Sequence, residues 1–416
     1  MSQSNPRLLL FAATTGYQIR VFADAARRLG MELVLATDRC HVLEDPWGDH
    51  AIPVRFEDAA ASVERVAGEA AARPFTGIVA VGDAPAVLAA QAARRLGISF
   101  HRPAAARAAH DKFLARQLFQ AAGLPVPGYF RAPLAGDPRE IARRAAFPCV
   151  LKPLSLSASR GVIRANNPEE FAAAFHRIRK MLEQSHDEYL QVEDFIEGRE
   201  FAVEGLVTHG QLKILAVFDK PDPLDGPFFE ETIYVTPSRA GETALAAIRD
   251  AAARAVRALG LEHGPIHAEL RYNQRGAWML EVAARPIGGL CAKMLRFTGG
   301  MPLEELILRH AAGEDVSAAE LADPASGVMM IPIPKAGVYQ EVAGTERAAG
   351  IPGVEEVLVT AKAGQYLQPL PEGASYLGFI FARGDTPLEV EQTLRRAHAE
   401  LRFTIATALP TWQPTA

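Results

Sequence analysis

Several features are scarce or missing in this chain of 416 residues, and each absence excludes a class of protein. The three cysteines, Cys40, Cys149 and Cys291, show no CxxC spacing, so neither a disulfide framework nor a cysteine zinc site is indicated. Lysine and arginine (44) do not outnumber aspartate and glutamate (49), so no basic surplus exists for nucleic acid phosphates. Uncharged runs such as Leu8 to Thr15 fall well short of the ~20 residues that span a bilayer, and no signal sequence precedes them. We therefore expect a soluble, unexported protein of a reducing cytoplasm, with no nucleic acid or membrane partner.

Two common nucleotide-binding motifs are missing as well. A nicotinamide dinucleotide site needs a GxGxxG turn after the first strand, and residues 12–20 offer only Gly16. No GxxxxGK[ST] string occurs anywhere in the chain, so a P-loop is excluded. A dehydrogenase is therefore only a distant alternative.

The composition and the length are those of a globular protein with more than one domain. The residues are 49% hydrophobic and 22% charged, and a chain of 416 residues corresponds to two or three domains. Short apolar runs at 7–13, 31–36 and 77–81 alternate with helical patterns that end at Gly30 and Gly97. This alternation predicts a parallel sheet with helices on both faces.

The rest of the chain divides into two further parts. Pro103 opens one long predicted helix, which carries His110, Asp111 and Lys112 and ends at Gly123. Beyond it, strands predominate up to about residue 310, and the last part indicates a small α/β unit. The predicted elements are helices at about 168–183 and 240–259, strands at 328–332, 354–360 and 374–382, and a closing helix at about 387–403.

Residues 264–289 are the most informative segment, because they indicate two strands joined by a short turn at 273–276. Side chains alternate along a strand, so this hairpin has one apolar and one charged face. The apolar face is predicted to hold Ile266, Ala268, Leu270, Tyr272, Trp278, Leu280, Val282 and Ala284. The charged face is predicted to hold His267, Glu269, Arg271, Met279, Glu281 and Arg285.

Two carboxylates oppose each other on the charged face. Folding about residues 274 and 275 sets Glu269 opposite position 280 or 281, where like charges destabilise a sheet unless a positive group lies between them. Oxygen ligands without a nearby cysteine suit Mg²⁺ or Mn²⁺. The alternative is a solvated face on which Arg271 and Arg285 neutralise the acids.

Two more segments carry polar groups that suit a nucleotide. Lys152 ends an apolar strand, where an unpaired charge is costly, so it needs an anionic partner. The loop after it has small residues whose backbone amides can approach phosphate oxygens, namely Ser155, Ser157, Ser159 and Gly161. In residues 189–205, Glu193 precedes a turn and Glu200 and Glu204 share a face of the next strand. Such carboxylates can accept hydrogen bonds from an exocyclic amine or a ribose diol, although a flexible serine turn and idle surface glutamates are the alternatives.

At these segments, and at residues 218–238, the chain resembles the ATP-grasp superfamily, in particular its L-amino acid ligase branch. The resemblance is strong over about residues 100–310. It implies a combined α/β and α+β fold, the ATP-grasp fold, in which ATP lies between two antiparallel-sheet subdomains. The implied domains are an N-terminal Rossmann-like pre-ATP-grasp domain (1–102), the ATP-grasp domain (103–320) and a small C-terminal α/β domain (321–416).

The resemblance also implies roles for single residues. Lys112 and Lys152 match the two lysines that reach ATP, Glu193 and the backbone of Ile196 match the adenine contacts, and Glu200 matches the ribose contact, beside the loop of Ser157, Ser159 and Gly161. Glu269 and Glu281 match the metal pair for Mg²⁺ or Mn²⁺, and Arg285 matches the arginine that clamps the transferred phosphate or the acyl phosphate. Two departures are Ala283, where the family often has a metal-site asparagine, and a phosphate loop poor in glycine, with Leu156 and Ala158.

The expected activity is an ATP-dependent carboxylate-amine ligase that joins amino acids through an acyl phosphate and releases ADP and phosphate. His267 faces the metal pair and is a candidate for orienting substrate or taking the proton of the amine. Residues 219–238 are a long proline-containing loop of the kind that serves as a lid or binds substrate. A carboxylase-like or nucleotide-precursor ligase and a non-catalytic nucleotide-binding regulator are the alternatives. The acid, the amine and the oligomeric state stay open, a homodimer included.

Overall fold

The structure is a computed structural model that describes residues 5–13, 18–38, 51–322 and 324–407. Three features of the sequence, namely Thr15 at the end of the first uncharged run, Gly16 and Cys40, lie outside the described residues. None of the described helices is both long enough and apolar enough to cross a membrane.

Within the described residues, helices and strands are numbered in chain order. The strands are β1 (Arg7–Ala12), β2 (Glu32–Thr37), β3 (Ile52–Pro53), β4 (Gly77–Val81), β5 (Tyr129–Pro133), β6 (Cys149–Pro153), β7 (Ile163–Ala165), β8 (Tyr189–Asp194), β9 (Arg199–Thr208), β10 (Gln211–Asp219), β11 (Ile233–Thr236), β12 (Gly264–Asn273), β13 (Gly276–Ala283), β14 (Arg296–Phe297), β15 (Met301–Pro302), β16 (Ala325–Ile331), β17 (Gly337–Ala343), β18 (Val354–Val359), β19 (Tyr366–Leu367), β20 (Gly378–Gly384) and β21 (Arg402–Ala406). The helices are α1 (Ile19–Arg28), α2 (Ala59–Ala72), α3 (Asp83–Leu96), α4 (Pro103–His110), α5 (Lys112–Ala121), α6 (Pro138–Ala142), α7 (Pro168–Met181), α8 (Glu242–Leu259), α9 (Leu303–Ala311), α10 (Thr345–Ala349) and α11 (Pro387–Glu400), with two 3-10 turns at Cys291–Met294 and Thr298–Gly300.

The chain forms two compact units, each made of three separate stretches. The first unit comprises the described residues of Met1–Val126, Glu200–Phe218 and Ala240–Asp323. The second unit comprises those of Pro127–Arg199, Asp219–Arg239 and Pro324–Ala416. The three domains predicted from the sequence, 1–102, 103–320 and 321–416, stay a prediction.

The first unit begins with the predicted parallel sheet. Its strand order is β3-β2-β1-β4, and β1 pairs in parallel with β2 and with β4. Every residue of β1 is buried, as a strand covered on both faces requires. The predicted strands and the helix that stops at Gly97, which has a left-handed φ of 69°, are confirmed.

The long helix predicted from Pro103 to Gly123 is wrong, because the structure has two helices there. Asp111 is extended, with φ −93° and ψ 105°, and it separates α4 from α5. Its carboxylate accepts hydrogen bonds from the backbone amides of Phe113 (2.9 Å) and Leu114 (3.0 Å). An aspartate that caps a new helix thus ends the one before it.

The first unit also contains four strands in the order β13-β12-β9-β10, with α8 packed against β12 and β13. One continuous apolar core joins this layer to the parallel sheet. It includes Leu9 and Phe11 of β1, Phe119 of α5, Ile248 of α8 and Met279 of β13. The hairpin that carries the candidate metal ligands therefore rests on the same core as the carboxyl ends of the parallel strands.

The second unit holds an antiparallel sheet in the order β5-β8-β6-β7, covered by α7, and the strands β11-β16-β20-β18, covered by α11. A small sheet, β19-β17-β21, completes it. The closing helix predicted to reach about residue 403 is too long, because α11 ends at Glu400 and β21 follows. Leu401, the residue directly after α11, has an extended conformation and leads into β21.

Buried histidines in the first unit predict an acid-sensitive fold. The pKa of His101 and that of His310 are each lowered to about 4, mainly by burial. For His101, the contact with the Pro265 carbonyl acts to raise the pKa, and His263 and His310 act to lower it. His263 stacks on His310 with ring centroids 4.1 Å apart, so protonating both rings would also bring like charges together.

Because these groups are neutral in the folded state and have a pKa near 6.5 when unfolded, the unfolded chain binds more protons between these values. We expect the free energy of unfolding to decrease as the pH falls from about 6.5 towards 4, by up to ~1.4 kcal/mol per pH unit for each histidine. Urea unfolding at several pH values measures this slope. His310→Gln should flatten it, whereas replacing the exposed His186 should not; equal slopes in all three proteins would refute the assignment.

Candidate active site

The predicted hairpin is confirmed, and it brings the two candidate metal ligands together. β12 pairs with β13 in antiparallel register, and Glu269 lies directly opposite Glu281. Asn273 pairs with Gly276, so the turn has the two-residue loop expected from the sequence. Opposed residues of this kind have Cβ atoms ~4.5–5.5 Å apart and share a face of the sheet.

A bulge next to Glu269 changes the alternation of β13. The register shifts between Glu269 and Leu270, so that Leu270 pairs with Met279 and position 280 is passed over. The prediction that Trp278 and Leu280 lie on the core face and Met279 on the charged face is therefore wrong: Met279 is buried in the core, and the other two are half-buried. One extra residue in one strand reverses which side chains face the core beyond it.

Strand β9 adds two acids to the charged face. Glu200 accepts a hydrogen bond from Arg271 Nε at 3.0 Å, and carboxylate oxygens of Glu200 and Glu269 lie within 4.8 Å of each other. Arg271 thus pairs with Glu200. Both side chains are buried, so the pair is a fixed part of the site. Glu200 was matched to a ribose contact in the sequence, and that role stays a prediction.

The donor set fits a divalent cation. Glu269 and Glu281 face each other, Glu200 lies beside Glu269, and all three ligand groups are carboxylates. Mg²⁺ and Mn²⁺ prefer such oxygen ligands and complete their coordination with phosphate oxygens and water. Opposed carboxylates repel each other, so a cation between them would be electrostatically favourable.

His267 is held by a buried glutamate that the sequence reasoning did not assign. Its Nδ1 lies 3.0 Å from Glu204 Oε2, and its Nε2 lies 3.6 Å from Glu269 Oε1. Burial raises the pKa of Glu204, while the contact with His267 and the backbone N–H of Ile287 act in the opposite direction. Glu204 therefore orients the imidazole, with Nε2 directed towards the acidic pair.

Arg285 is held by Asp83, which the sequence reasoning missed. Arg285 Nε donates a hydrogen bond to Asp83 Oδ1 at 2.9 Å, and the two side chains are 14% and 20% exposed. Burial acts to raise the pKa of Asp83, but Arg285, His110 and Lys112 outweigh it and lower this pKa. Because 202 residues separate Asp83 from Arg285, the sequence could not predict this pair. The only local sign that Asp83 belongs to a site is its position, after a glycine at the carboxyl end of a parallel strand.

Lys112, one of the two predicted nucleotide lysines, begins α5 directly after the cap Asp111. It contributes to the positive potential at Asp83, so it lies near the group that holds Arg285. The candidate residues Lys112, His267, Glu269, Glu281 and Arg285 thus all belong to the first unit, together with Glu200.

The remaining candidate residues belong to the second unit, where a half-buried lysine lies beside a buried glutamate and a buried glutamine. Lys152 Nζ lies 2.5 Å from Glu193 Oε2, and Gln191 Nε2 donates to Glu193 Oε1 at 2.6 Å. The side chains of Lys152 and Glu193 are 14% and 2% exposed. The predicted need of Lys152 for an anionic partner is met by Glu193, and the buried backbone of Ile196 follows two residues after β8.

This cluster gives a prediction with two separable readouts. Lys152→Met should lower the free energy of unfolding by ~3–5 kcal/mol, because it leaves Glu193 charged and buried without its partner. The double variant Lys152→Met/Glu193→Gln should recover most of that loss. Calorimetry should show weakened ATP binding in both variants. If both bound ATP with wild-type affinity, Lys152 would have only the structural role of pairing with Glu193.

The serine loop between β6 and β7 has a tight backbone. Ala158 and Ser159 both have a φ of 55°, in the left-handed region, and Ser157 is exposed while Ser159 is half-buried. The Gly161 amide donates to the Pro371 carbonyl at 2.9 Å. The contacts of this serine loop with phosphate stay a prediction.

The proline-containing segment 219–238 is partly a strand, since it includes β11. Its two ends are tied within the second unit. Lys220 is buried and pairs with Glu231, and Asp219 accepts hydrogen bonds from Ser238 Oγ (2.5 Å) and from the Arg239 amide (3.0 Å). The middle, residues 221–230, carries no strand but is also bonded within this unit: Arg164 Nη1 donates to the Asp225 carbonyl at 2.7 Å, and the Arg164 amide donates to the Pro227 carbonyl at 2.9 Å.

Three family models match the chain. The model of the ATP-grasp domain matches residues 145–294, that of the ATP-grasp N-terminal domain matches residues 23–99, and that of the L-amino acid ligase C-terminal domain 2 matches residues 329–406. The first of these includes the lysine cluster of the second unit and the hairpin of the first.

Similar proteins are found both by sequence and by structure. The uncharacterized protein y4rH of Sinorhizobium fredii is 23% identical over 96% of this chain and 83% of its own length. Alanine–anticapsin ligase of Bacillus subtilis is 29% identical over 53% of this chain, and the match spans only half (50%) of that ligase.

The crystal structure of L-amino acid ligase from Bacillus licheniformis superposes with a TM-score of 0.80 at 24% identity, covering 98% of this chain and 100% of that one. This likeness extends over nearly the whole chain. The fold predicted from the sequence, combined α/β and α+β in the ATP-grasp arrangement, is thereby confirmed.

Proposed function

We propose that this chain, which belongs to the ATP-grasp superfamily and is an ATP-dependent ligase that forms carbon–nitrogen bonds, joins the carboxyl group of one amino acid to the amine of another. The observation that carries the proposal is the charged face of the hairpin. There Glu269 opposes Glu281, with Glu200 beside Glu269 and a half-buried arginine, Arg285, held by Asp83. A site that only bound a nucleotide would need no such combination of opposed acids and an anchored guanidinium.

The carboxyl group must be activated before an amine can attack it. A free carboxylate would have to expel an oxide, whereas an acyl phosphate expels phosphate. In the proposed reaction the acid's oxygen attacks the γ-phosphorus of ATP, the bond to the β-phosphate oxygen breaks, and ADP leaves. The amine then attacks the carbonyl carbon, phosphate departs and the amine loses a proton. Phosphoryl transfer of this kind depends on positioning and on electrostatics.

The residues of the first unit take separate roles in this proposal. Glu269 and Glu281 would hold Mg²⁺ or Mn²⁺, which when bound neutralises phosphate charge. Arg285 offers a planar fork that suits the oxygens of phosphate or carboxylate. His267, which Glu204 contacts at Nδ1, would orient the substrate or accept the proton of the amine.

The residues of the second unit would bind the nucleotide. Lys152 supplies a half-buried positive charge, and Glu193, whose two oxygens bond Lys152 and Gln191, holds that charge in place. The resemblance to L-amino acid ligases assigns the adenine edge to Ile196 and the phosphates to Ser157, Ser159 and Gly161. Relatives named for ligating alanine support amino acids as the substrate class.

Phosphate release tests the proposal most simply. The protein is incubated with ATP and Mg²⁺ against a panel of amino acids, singly and in pairs, and amide products are identified by mass spectrometry. We expect release that depends on a pair of amino acids and yields one amide per ADP. Phosphate release with bicarbonate or with a ribonucleotide precursor instead would favour a carboxylase-like or nucleotide-precursor ligase, and tight ATP binding without release would favour a regulator.

A further inference from the structure

We propose that Asp83 is a positioning residue for the transfer step: it holds the Arg285 guanidinium at Nε and thereby presents Nη2 to the oxygens of the transferred group. The inference rests on the function proposed above, and it concerns a residue from a part of the chain outside the ATP-grasp domain model. The inference can be tested by spectroscopy in the protein without substrate and by kinetics during turnover.

Asp83 is itself rigidly placed. It comes just after β4, the strand at one edge of the parallel sheet, and is the first residue of α3. Gly82 makes the turn with a φ of 104°, which side-chain-bearing residues rarely adopt, and a Cβ there would lie 3.3 Å from the Pro85 ring. A carboxylate in the first turn of a helix is also favoured by the helix dipole.

Arg285 is held at two of its three side-chain nitrogens. Its Nε donates to Asp83 Oδ1 at 2.9 Å and its Nη1 donates to the Pro286 carbonyl at 3.1 Å. Among the described residues, Nη2 makes no hydrogen bond. The guanidinium is planar and carries five N–H groups, so anchoring it by Nε and Nη1 fixes the plane and leaves Nη2 for the oxygens of a ligand.

The electrostatics show what Asp83 competes against. Glu281 and Glu269 also attract Arg285: burial lowers the pKa of this arginine, but Asp83, Glu281 and Glu269 together raise it. Without Asp83, the guanidinium would be drawn towards the two opposed acids and would neutralise them. Asp83 therefore keeps Arg285 apart from the candidate metal ligands. This prevents the alternative left open by the sequence, in which Arg285 only neutralises the acids.

A spectroscopic test needs no substrate. In protein labelled with ¹⁵N-arginine, the Nε–H signal of Arg285 is assigned by its loss in Arg285→Lys. In the wild type we expect a slowly exchanging signal with restricted motion. In Asp83→Asn the signal should exchange rapidly or broaden, because the amide is a weaker acceptor. An unchanged Arg285 signal in Asp83→Asn would overturn the proposal, whatever the enzyme turns over.

A kinetic test follows with the amino acids selected by the panel. Asp83→Asn should lower kcat by about 10- to 100-fold, as expected for a catalytic group that is displaced, while KM for ATP changes by less than about twofold. When Asp83→Asn is combined with Arg285→Lys, kcat should fall little below that of Arg285→Lys alone, because Arg285→Lys already disrupts the Asp83–Arg285 pair. Additive losses, or wild-type kcat in Asp83→Asn, would contradict the positioning role.

Two controls separate this role from general structural damage. Glu64 forms the same type of contact with Arg95, Nε to Oε1 at 3.0 Å, but on the exposed surface of the same unit, so Glu64→Gln should leave kcat and the Arg285 signal unchanged. If Asp83→Asn does not fold, Asp83→Glu keeps the charge and moves it by one methylene; it should still lower kcat, and full activity there would refute the proposal. If the wild type releases no phosphate with any substrate, the proposed function fails, and the spectroscopic test still decides the role of Asp83.

Discussion

Glu281→Gln should reduce turnover by at least ~10³-fold, the largest effect that we expect from a single substitution. Glu281 faces Glu269 across the hairpin, and the neutral amide removes the charge with which the pair would hold a divalent cation. Loss of several kcal/mol of charge stabilisation in the transition state corresponds to three or more orders of magnitude in rate. Steady-state phosphate release, measured over a series of Mg²⁺ concentrations, checks the value.

Two comparisons make this result specific. Glu269→Gln should lose most activity for the same reason, with partial recovery when Mn²⁺ replaces Mg²⁺. Glu57→Gln changes an exposed glutamate of the same unit and should behave as the wild type. Removing one of two opposed charges should also leave the fold at least as stable as before. Near wild-type turnover of Glu281→Gln at saturating Mg²⁺ would show that the opposed acids do not hold the metal.

Arg285→Lys should depress kcat by about 10²- to 10³-fold while ATP affinity changes little. Lysine keeps the positive charge, but it offers no planar fork for phosphate or carboxylate oxygens and cannot bond Asp83 through an Nε edge. A loss of this size is typical when one aligned donor to the transition state is removed. Steady-state kinetics beside an ATP binding constant from calorimetry make the measurement.

The matched control is an arginine of the same hairpin. Arg275 lies in the exposed turn, where its guanidinium stacks over Trp278 at 4.8 Å. Arg275→Lys should therefore leave kcat unchanged. If Arg285→Lys also kept normal turnover, Arg285 would merely balance the nearby acids, a task that any cation performs.

Much of the site could be predicted from the sequence where it depends on neighbours in the chain. Strand alternation and a two-residue turn suffice to set Glu269 opposite Glu281, and helix breakers at Gly30 and Gly97 mark the parallel βα units. The bulge beside Glu269 could not be foreseen, because it is a local irregularity that alternation does not encode. It changes the environment of Trp278 and Met279 while leaving the acidic pair in register.

Contacts between segments far apart in the chain could not be predicted from the local sequence pattern. Asp83 and Arg285 are 202 positions apart, and Glu204 and His267 are 63 apart. Nothing in the local sequence states that β4 and the end of β13 meet, since the shared core decides this. The break between two helices at Asp111 could not be predicted for a different reason. An aspartate in a helical pattern can lie inside one helix or cap a second one, and only the backbone conformation distinguishes the two.

The central claim, that an acyl phosphate links ATP cleavage to amide formation, is tested most directly by an isotope. The amino acid that donates its carboxyl group is labelled with ¹⁸O in both carboxylate oxygens, and the phosphate released during ligation is analysed by mass spectrometry. Attack of the carboxylate on the γ-phosphorus, followed by attack of the amine on the carbonyl carbon, predicts one ¹⁸O atom in each phosphate. Phosphate without the label, alongside normal amide formation, would contradict the account.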